Sequence, residues 1–326
     1  MTVQSSAWIT GARGMVGRAL SDSLLRVRPD VRLLAPSSQE LDLRNREAVN
    51  RYVHRHRPAV VIHAAGRVGG IAANVSKPVS FLTENMLIGM NVIESAADHG
   101  VPALLNLGSS CMYPKDLDLL REVDMLTAPL EPTNEGYAIA KIAAERLCEY
   151  VSRERGLTFR TVIPSNLYGP HDHFGKERSH LVASAIRKVD DAALKSHDEV
   201  EIWGDGTARR EFTYVGDVAD WIAAHLDDLA SLPQRLNLGI GVDHTITEYY
   251  EAVAAIVGFR GGFVYDLSKP VGMKRKLMDS SLAASHGWAP STDLEAGLRA
   301  TYDYFLTNVR DKPPSADHGG STMRES

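Results

Sequence analysis

Cysteine is scarce. Cys111 and Cys148 are the only two in 326 residues, too few for a disulfide framework or a cysteine-built zinc site. No apolar run approaches the roughly 18 residues of a membrane span. Surplus positive charge is also missing: 36 Lys and Arg stand against 41 Asp and Glu, for a formal charge of -5 and a pI near 6.2. A protein that grips nucleic-acid backbones carries the opposite balance. The opening Met1 to Trp8 lacks the basic-then-apolar order of a secretory signal. These absences lead to the expectation of a soluble, cytoplasmic protein with neither nucleic acid nor membrane as partner. His171 and His173 lie close together but lack a plausible third ligand, so no metal is expected. What is present is ordinary: 44% hydrophobic and 24% charged residues, enough chain for one large domain or two moderate ones.

The first half alternates apolar strands with helical patterns. Ala7 to Thr10, Val31 to Ala35, Ala59 to Ala65, Leu104 to Leu107 and Phe159 to Ile163 read as strands. Met15 to Leu25, Arg44 to Arg57, Met86 to His99 and Glu135 to Glu154 read as helices, the last two stopped by Gly100 and Gly156. Ala59 to Ala65 is apolar nearly throughout, as a strand covered on both faces is. This alternation predicts an α/β fold, a Rossmann-type doubly wound parallel sheet. After Pro164 the rhythm breaks. A helix over His180 to Lys188, a strand at Glu201 to Trp203 and a helix over Asp217 to Leu229 precede short mixed elements. The expected division is a dinucleotide-binding domain over 1–165, completed by about 210–240. A smaller mixed α/β substrate domain would take about 166–209 and 241–308, with a flexible tail over 309–326.

Gly11-Ala-Arg-Gly14-Met-Val-Gly17 sits at the first strand–helix junction. Glycines there permit a tight turn and close backbone approach, and the helix start offers unpaired N–H groups to a pyrophosphate. The second strand ends in Ala35-Pro36-Ser37-Ser38, without the carboxylate that would take the ribose 2′-hydroxyl of NAD. Arg13 could reach a 2′-phosphate, which favours NADP. Asp42 and Leu43 lie where they contact the adenine or simply make a turn and cap.

Tyr137 and Lys141, at i and i+4, share one helix face. A lysine beside a phenol is expected to draw the tyrosine pKa down toward working pH. Ser109 ends the preceding strand. An oriented hydroxyl, a proton donor and a tuning charge are what a carbonyl reductase needs. Cys148, mid-helix, and His63, within an apolar strand, are expected in the core.

The glycine cradle with Tyr137-x-x-x-Lys141 resembles the extended short-chain dehydrogenase/reductase superfamily. Longer strings are more particular: Arg67-Val-Gly-Gly-Ile71, Leu107-Gly-Ser-Ser-Cys-Met-Tyr-Pro-Lys115, Leu130-Glu-Pro-Thr-Asn-Glu135, Asn166-Leu-Tyr-Gly-Pro-His-Asp172, Arg210-Glu-Phe212 and Arg275-Lys-Leu277. Together, from about Trp8 to Asn308, they closely resemble the GDP-L-fucose synthase family of NADPH-dependent 3,5-epimerase/4-reductases, which act on a GDP-linked 4-keto-6-deoxy sugar.

The resemblance implies that Ser109 orients a 4-keto group, Tyr137 protonates it, and Lys141 supports the tyrosine and holds the nicotinamide ribose. It aligns Cys111 and His180 with the family's epimerising acid/base pair. Met15, Val16 and Ser37 would join Gly11, Arg13, Gly14 and Gly17 on NADP. Leu107, Gly108, Pro164, Asn166, Leu167 and His180 would line the cofactor further along. Ser109 and Asn166 would also touch the sugar, and Trp203, Arg210 and Arg275 would meet the nucleotide end. Arg187 or Lys188 would add a basic contact, unless each is only a solvated charge. A homodimer through the helices around Met86 and Tyr137 is implied too. Two departures stand out. Gly136 replaces the family's proline, which is expected to loosen the helix start and widen the sugar pocket. Val271 replaces an aspartate that contacts substrate, and it cannot accept that residue's hydrogen bonds. The rival expectations are a reductase that inverts one centre or none, and a non-catalytic NADP-binding regulator.

Overall fold

The computed structural model describes residues 6–175, 179–269 and 271–311. β1 (Ser6–Thr10) passes through the glycine turn into α1 (Met15–Val27). β2 (Arg32–Leu34) precedes α2 (Arg46–His56), and β3 (Val60–His63) precedes the short α3 (Ile71–Ser76) and the long α4 (Pro78–Asp98). β4 (Ala103–Leu107), α5 (Glu135–Arg155) and β5 (Thr158–Pro164) follow. α4 begins well before the expected Met86, because Pro78 at its first turn presets the helical φ and needs no N–H partner. α5 ends where Gly156 adopts a left-handed conformation, as the sequence anticipates.

The chain continues through β6 (Asn166–Tyr168), α6 (Leu181–Leu194), β7 (Glu199–Trp203), β8 (Arg209–Arg210), β9 (Phe212–Tyr214), α7 (Val215–His225) and β10 (Arg235–Leu238). β10 joins the main sheet, whose six parallel strands run β10-β5-β4-β3-β1-β2. The strand order reverses between β1 and β3, and ligands of such sheets bind at the carboxyl ends beside that reversal. One face is covered by α1 and α7, where Leu20, Val218, Trp221 and Ile222 pack on Ala7, Ile9 and Ile62. On the other, Val49, Val53, Val92, Ile93 and Cys148 pack on Trp8, Val61 and Leu104. The α-helix expected to Leu229 stops at His225, and a 3-10 turn spans Leu226–Ser231.

β11 (His244–Thr245), α8 (Ile246–Val257), β12 (Gly262–Asp266), β13 (Arg275–Lys276), α9 (Ser281–Ala284) and α10 (Leu294–Asn308) complete the described chain. β8 lies between β11 and β13, β12 pairs with β7, and β9 with β6. α6, α8 and α10 enclose a second core built on Val182, Ile186, Tyr249, Val253 and Phe305. α8 and α10 are longer than the short elements expected. Their start signals are local: Thr245 and Glu248 make a reciprocal capping box, and the Asp293 carboxylate accepts from Ala296 N–H.

One buried carboxylate joins the two cores. Glu211, between β8 and β9, accepts N–H bonds from Gly241 at 2.7 Å and Met278 at 2.9 Å, so it ties the ends of β10 and β13 together. Burial pushes its pKa up to about 7, against the pull of those N–H groups. The expected tail from 309 starts with an anchored residue: Arg310 pairs with Asp190. Residues 312–326 lie outside the described residues.

Phe305→Ala removes a fully buried ring from the second core. It is expected to cost about 3–5 kcal/mol, read as a lower urea midpoint with an unchanged slope; a loss under about 1 kcal/mol would contradict this packing.

Candidate active site

The cradle forms at the carboxyl end of β1. Gly11 has φ +70°, and a Cβ there would stand 2.9 Å from Ala65 Cα. A Cβ on Gly17 would overlap the Gly11 carbonyl oxygen. Gly14 caps α1 without any side-chain acceptor for its first N–H groups, and these remain available to an anion. The shape fits a dinucleotide pyrophosphate. Met15 and Val16 open the helix, and Arg13 stands exposed on the turn. Asp42 binds Arg44 through both carboxylate oxygens, and the Leu43 carbonyl accepts from Asn91 at 2.9 Å. That pair is therefore a held turn at the rim. The expectation of no carboxylate at this edge is corrected: Glu40, in the turn after β2, folds back onto the buried Ser37 N–H at 2.7 Å.

Lys141 is buried on α5, and its Nζ donates to the Leu107 carbonyl at 2.8 Å. Burial lowers its pKa to about 8. Tyr137 lies one turn earlier, its ring centroid 6.0 Å from that Nζ. The expected lowering of the tyrosine pKa does not hold here. Burial raises it and the nearby Cys111 adds to the rise, while a hydrogen bond with Ser109 opposes them. The phenol thus stays protonated through neutral pH, the state a proton donor needs. Ser109 caps the 3-10 turn Ser110–Met112, its Oγ accepting from Cys111 N–H at 3.3 Å. Gly108 is packed between Met112 and Ile163.

Cys111 is the centre of a second group. Its Sγ accepts from Asn134 Nδ2 at 3.2 Å and from Lys276 Nζ at 3.3 Å. His180 keeps an exposed surface, yet crowding by protein lowers its pKa, and the Lys276 charge adds to that. Lys276 is itself buried. Among the described residues, no carboxylate lies in ion-pair distance of it. Sequence reading missed both Lys276 and Asn134. Lys276 sits on the two-residue β13, too short to show a period. Arg275 points elsewhere: it and Arg209 clamp the buried Asp243 at 2.6 and 2.8 Å. The expected role of Arg275 on the nucleotide stands beside this pairing, and it is Lys276 that reaches the thiol.

Arg210 is half-buried close to Cys111 and Glu131, and its Nη2 donates to the Val271 carbonyl at 3.0 Å. The Val271 side chain packs on Gly204. Trp203 is 41% exposed and has Lys188 and Lys269 ammonium groups at 5.4 and 5.7 Å from its ring. Arg187 instead lies over Phe305 and against the Phe174 carbonyl, so of the two basic candidates Lys188 joins the tryptophan. Asn166 donates to the Glu211 carbonyl at 2.9 Å, and Leu167 packs on the sheet core beyond Pro164. Gly136 does not loosen α5. A Cβ there would lie 3.2 Å from the Pro78 carbonyl, so the glycine lets the start of α4 approach closely. His63 and Cys148 are buried as expected. His63 Nδ1 bonds Thr10 Oγ1 at 2.8 Å, and burial, aided by Lys141, lowers its pKa to about 3.

Hydride chemistry beside a ketone is what such a serine–tyrosine–lysine set serves, and the chain is an NAD(P)-dependent enzyme of the oxidoreductase/epimerase class. It belongs to the NAD dependent epimerase/dehydratase family, whose sequence pattern matches residues 7–239. A GDP-L-colitose synthase of Yersinia pseudotuberculosis is 50% identical over 91% of this chain and 97% of the relative. A GDP-L-fucose synthase of Azorhizobium caulinodans is 46% identical over 92% and 96%. Among solved structures, the GDP-mannoheptose C4 reductase MlghC from Campylobacter jejuni with NADP bound superposes with a TM-score of 0.85. It is 32% identical, over 94% of this chain and 99% of that one. No helix among the described residues is long and apolar enough to cross a membrane.

A pH dependence follows from Lys141. With its pKa lowered to about 8, it loses its proton as pH rises through that value, while Tyr137 keeps its own. In the free enzyme, kcat/KM for ketone reduction is expected to fall tenfold per pH unit above about 8; a level profile to pH 10 would remove the charge from the mechanism.

Proposed function

We propose that this enzyme converts GDP-4-keto-6-deoxy-D-mannose to GDP-L-fucose, inverting carbons 3 and 5 and reducing the carbon-4 ketone with NADPH. The observation that carries the reading is the Lys276 ammonium 3.3 Å from Cys111 Sγ, with its charge also felt at His180, beside the Ser109–Tyr137–Lys141 set. The near relatives named for GDP sugars support the nucleotide, and the NADP-bound neighbour supports the cofactor.

The chemistry follows from one ketone. Protons on carbons 3 and 5 flank it and are acidified by it. Cys111 and His180 act as the acid/base couple: one takes a proton from a ring carbon and the other returns one to the opposite face. Ser109 and Tyr137 donate to the carbonyl oxygen, so they hold the enolate's charge in the first steps and the alkoxide's in the last. Lys276 would place its ammonium beside the sulfur, 3.3 Å away. When bound, NADPH supplies the hydride to carbon 4. Tyr137 then gives its proton to the carbon-4 oxygen, and Lys141 supports the resulting phenolate and the cofactor ribose. Gly11 to Gly17 would hold the pyrophosphate and Arg13 the 2′-phosphate. Arg210, Trp203 and Lys188 would receive the sugar diphosphate and its base, Asn166 the sugar. A homodimer through α4 and α5 fits the exposed Leu87, Met90, Ile139 and Tyr150.

A second reading has one specific support, the relative named for colitose. A substrate without a stereocentre at carbon 3 would need inversion at carbon 5 alone, with the same residues.

Tyr137→Phe is expected to lower reduction by about a hundred- to ten-thousand-fold while NADPH binding persists; near-normal turnover would end the assignment. Cys111→Ser is expected to suppress deuterium uptake at the ring carbons in heavy water, followed by NMR, and unchanged exchange would count against it. The same spectra identify the product, and inversion at carbon 5 only would select the second reading.

A further inference from the structure

Glu40 bears on which dinucleotide the cradle prefers. It lies in the turn beyond β2, and its carboxylate accepts the Ser37 N–H at 2.7 Å. Its own N–H faces the Ser37 carbonyl at 3.1 Å and the hydroxyl at 3.3 Å. These bonds pin the carboxylate at the carboxyl end of β2, next to the strand that carries the cradle. A dinucleotide fold sets the adenosine ribose there, against an acidic residue for a 2′-hydroxyl or a basic one for a 2′-phosphate. Both kinds are present. The Ser37 bonds hold the Glu40 carboxyl below the usual carboxylate range, and Arg13 from the cradle adds to this through its charge.

The surrounding charges do not tip the balance. No Lys or Arg occurs from Ala35 to Leu43. Arg44, just after, is engaged by both oxygens of Asp42, and Arg32 stands at the opposite end of β2. A 2′-phosphate therefore meets one cation and one anion, whereas a 2′-hydroxyl meets an acceptor already in place. We propose that Glu40 is a cofactor-specificity residue that narrows the preference for NADPH and makes NADH a second usable hydride donor. This rests on the reading of the chain as an NADPH-dependent reductase.

The test is direct binding without any sugar, titrating NADPH and NADH separately and following nicotinamide fluorescence. The wild-type protein should prefer NADPH by no more than about tenfold. Glu40→Gln keeps an acceptor for Ser37 N–H and removes the charge; it should raise the NADPH-to-NADH ratio about fivefold. Arg13→Gln should bring the ratio to one or below. A wild-type preference beyond about a hundredfold, an unchanged ratio in Glu40→Gln, or an equal weakening of both cofactors would overturn the proposal. Failure of the wild-type protein to bind either dinucleotide would instead strike at the reductase reading.

Discussion

A buried ammonium needs a negative neighbour, and Lys276 has been given a sulfur. Its Nζ stands 3.3 Å from Cys111 Sγ, and among the described residues no carboxylate is in ion-pair distance to neutralise it. Removing a charge from water is costly unless a counter-charge or good acceptors replace the lost solvent. In the proposed reaction the cation would serve whatever anionic character appears at the thiol. Much else is arranged around this contact. Asn134 donates to the same sulfur, and the Lys276 charge reaches His180. Glu211 secures the strand that carries the lysine through Met278 N–H.

The second ammonium is treated differently. Lys141 donates to a main-chain carbonyl, Leu107, and burial weakens its hold on its proton. The two lysines thus divide the site. Lys141 sits beside the tyrosine, its Nζ 6.0 Å from the ring centroid. Lys276 sits at the thiol, on β13. In the proposed reaction, proton exchange at carbon and proton donation to oxygen would be served by separate cations.

Much of the sheet was legible because its signal is redundant. Each strand of the first half is apolar, each following helix has a start or stop residue, and the alternation admits few topologies. The cradle and the Ser109–Tyr137–Lys141 set were legible for the same reason, since their residues lie at fixed places along that alternation. Lys276 was not, because a strand of two residues has no period and the lysine meets Cys111 only through tertiary folding. The helices α8 and α10 carried local signals in Thr245–Glu248 and Asp293 that composition alone passes over. Glu40 is not legible because it lies beyond β2, and the turn that folds it back depends on hydrogen bonds to Ser37. The tyrosine pKa was misjudged because spacing reports who is near, and burial decides which effect wins.

Arg210 takes its bond from the main-chain oxygen of Val271, whereas the valine's own side chain lies on Gly204. A backbone oxygen is supplied by any amino acid. Evolution can therefore exchange the side chain at this position without releasing the guanidinium. If Arg210 holds the diphosphate as proposed, drift in substrate taste and constancy of that grip would be separable at a single residue.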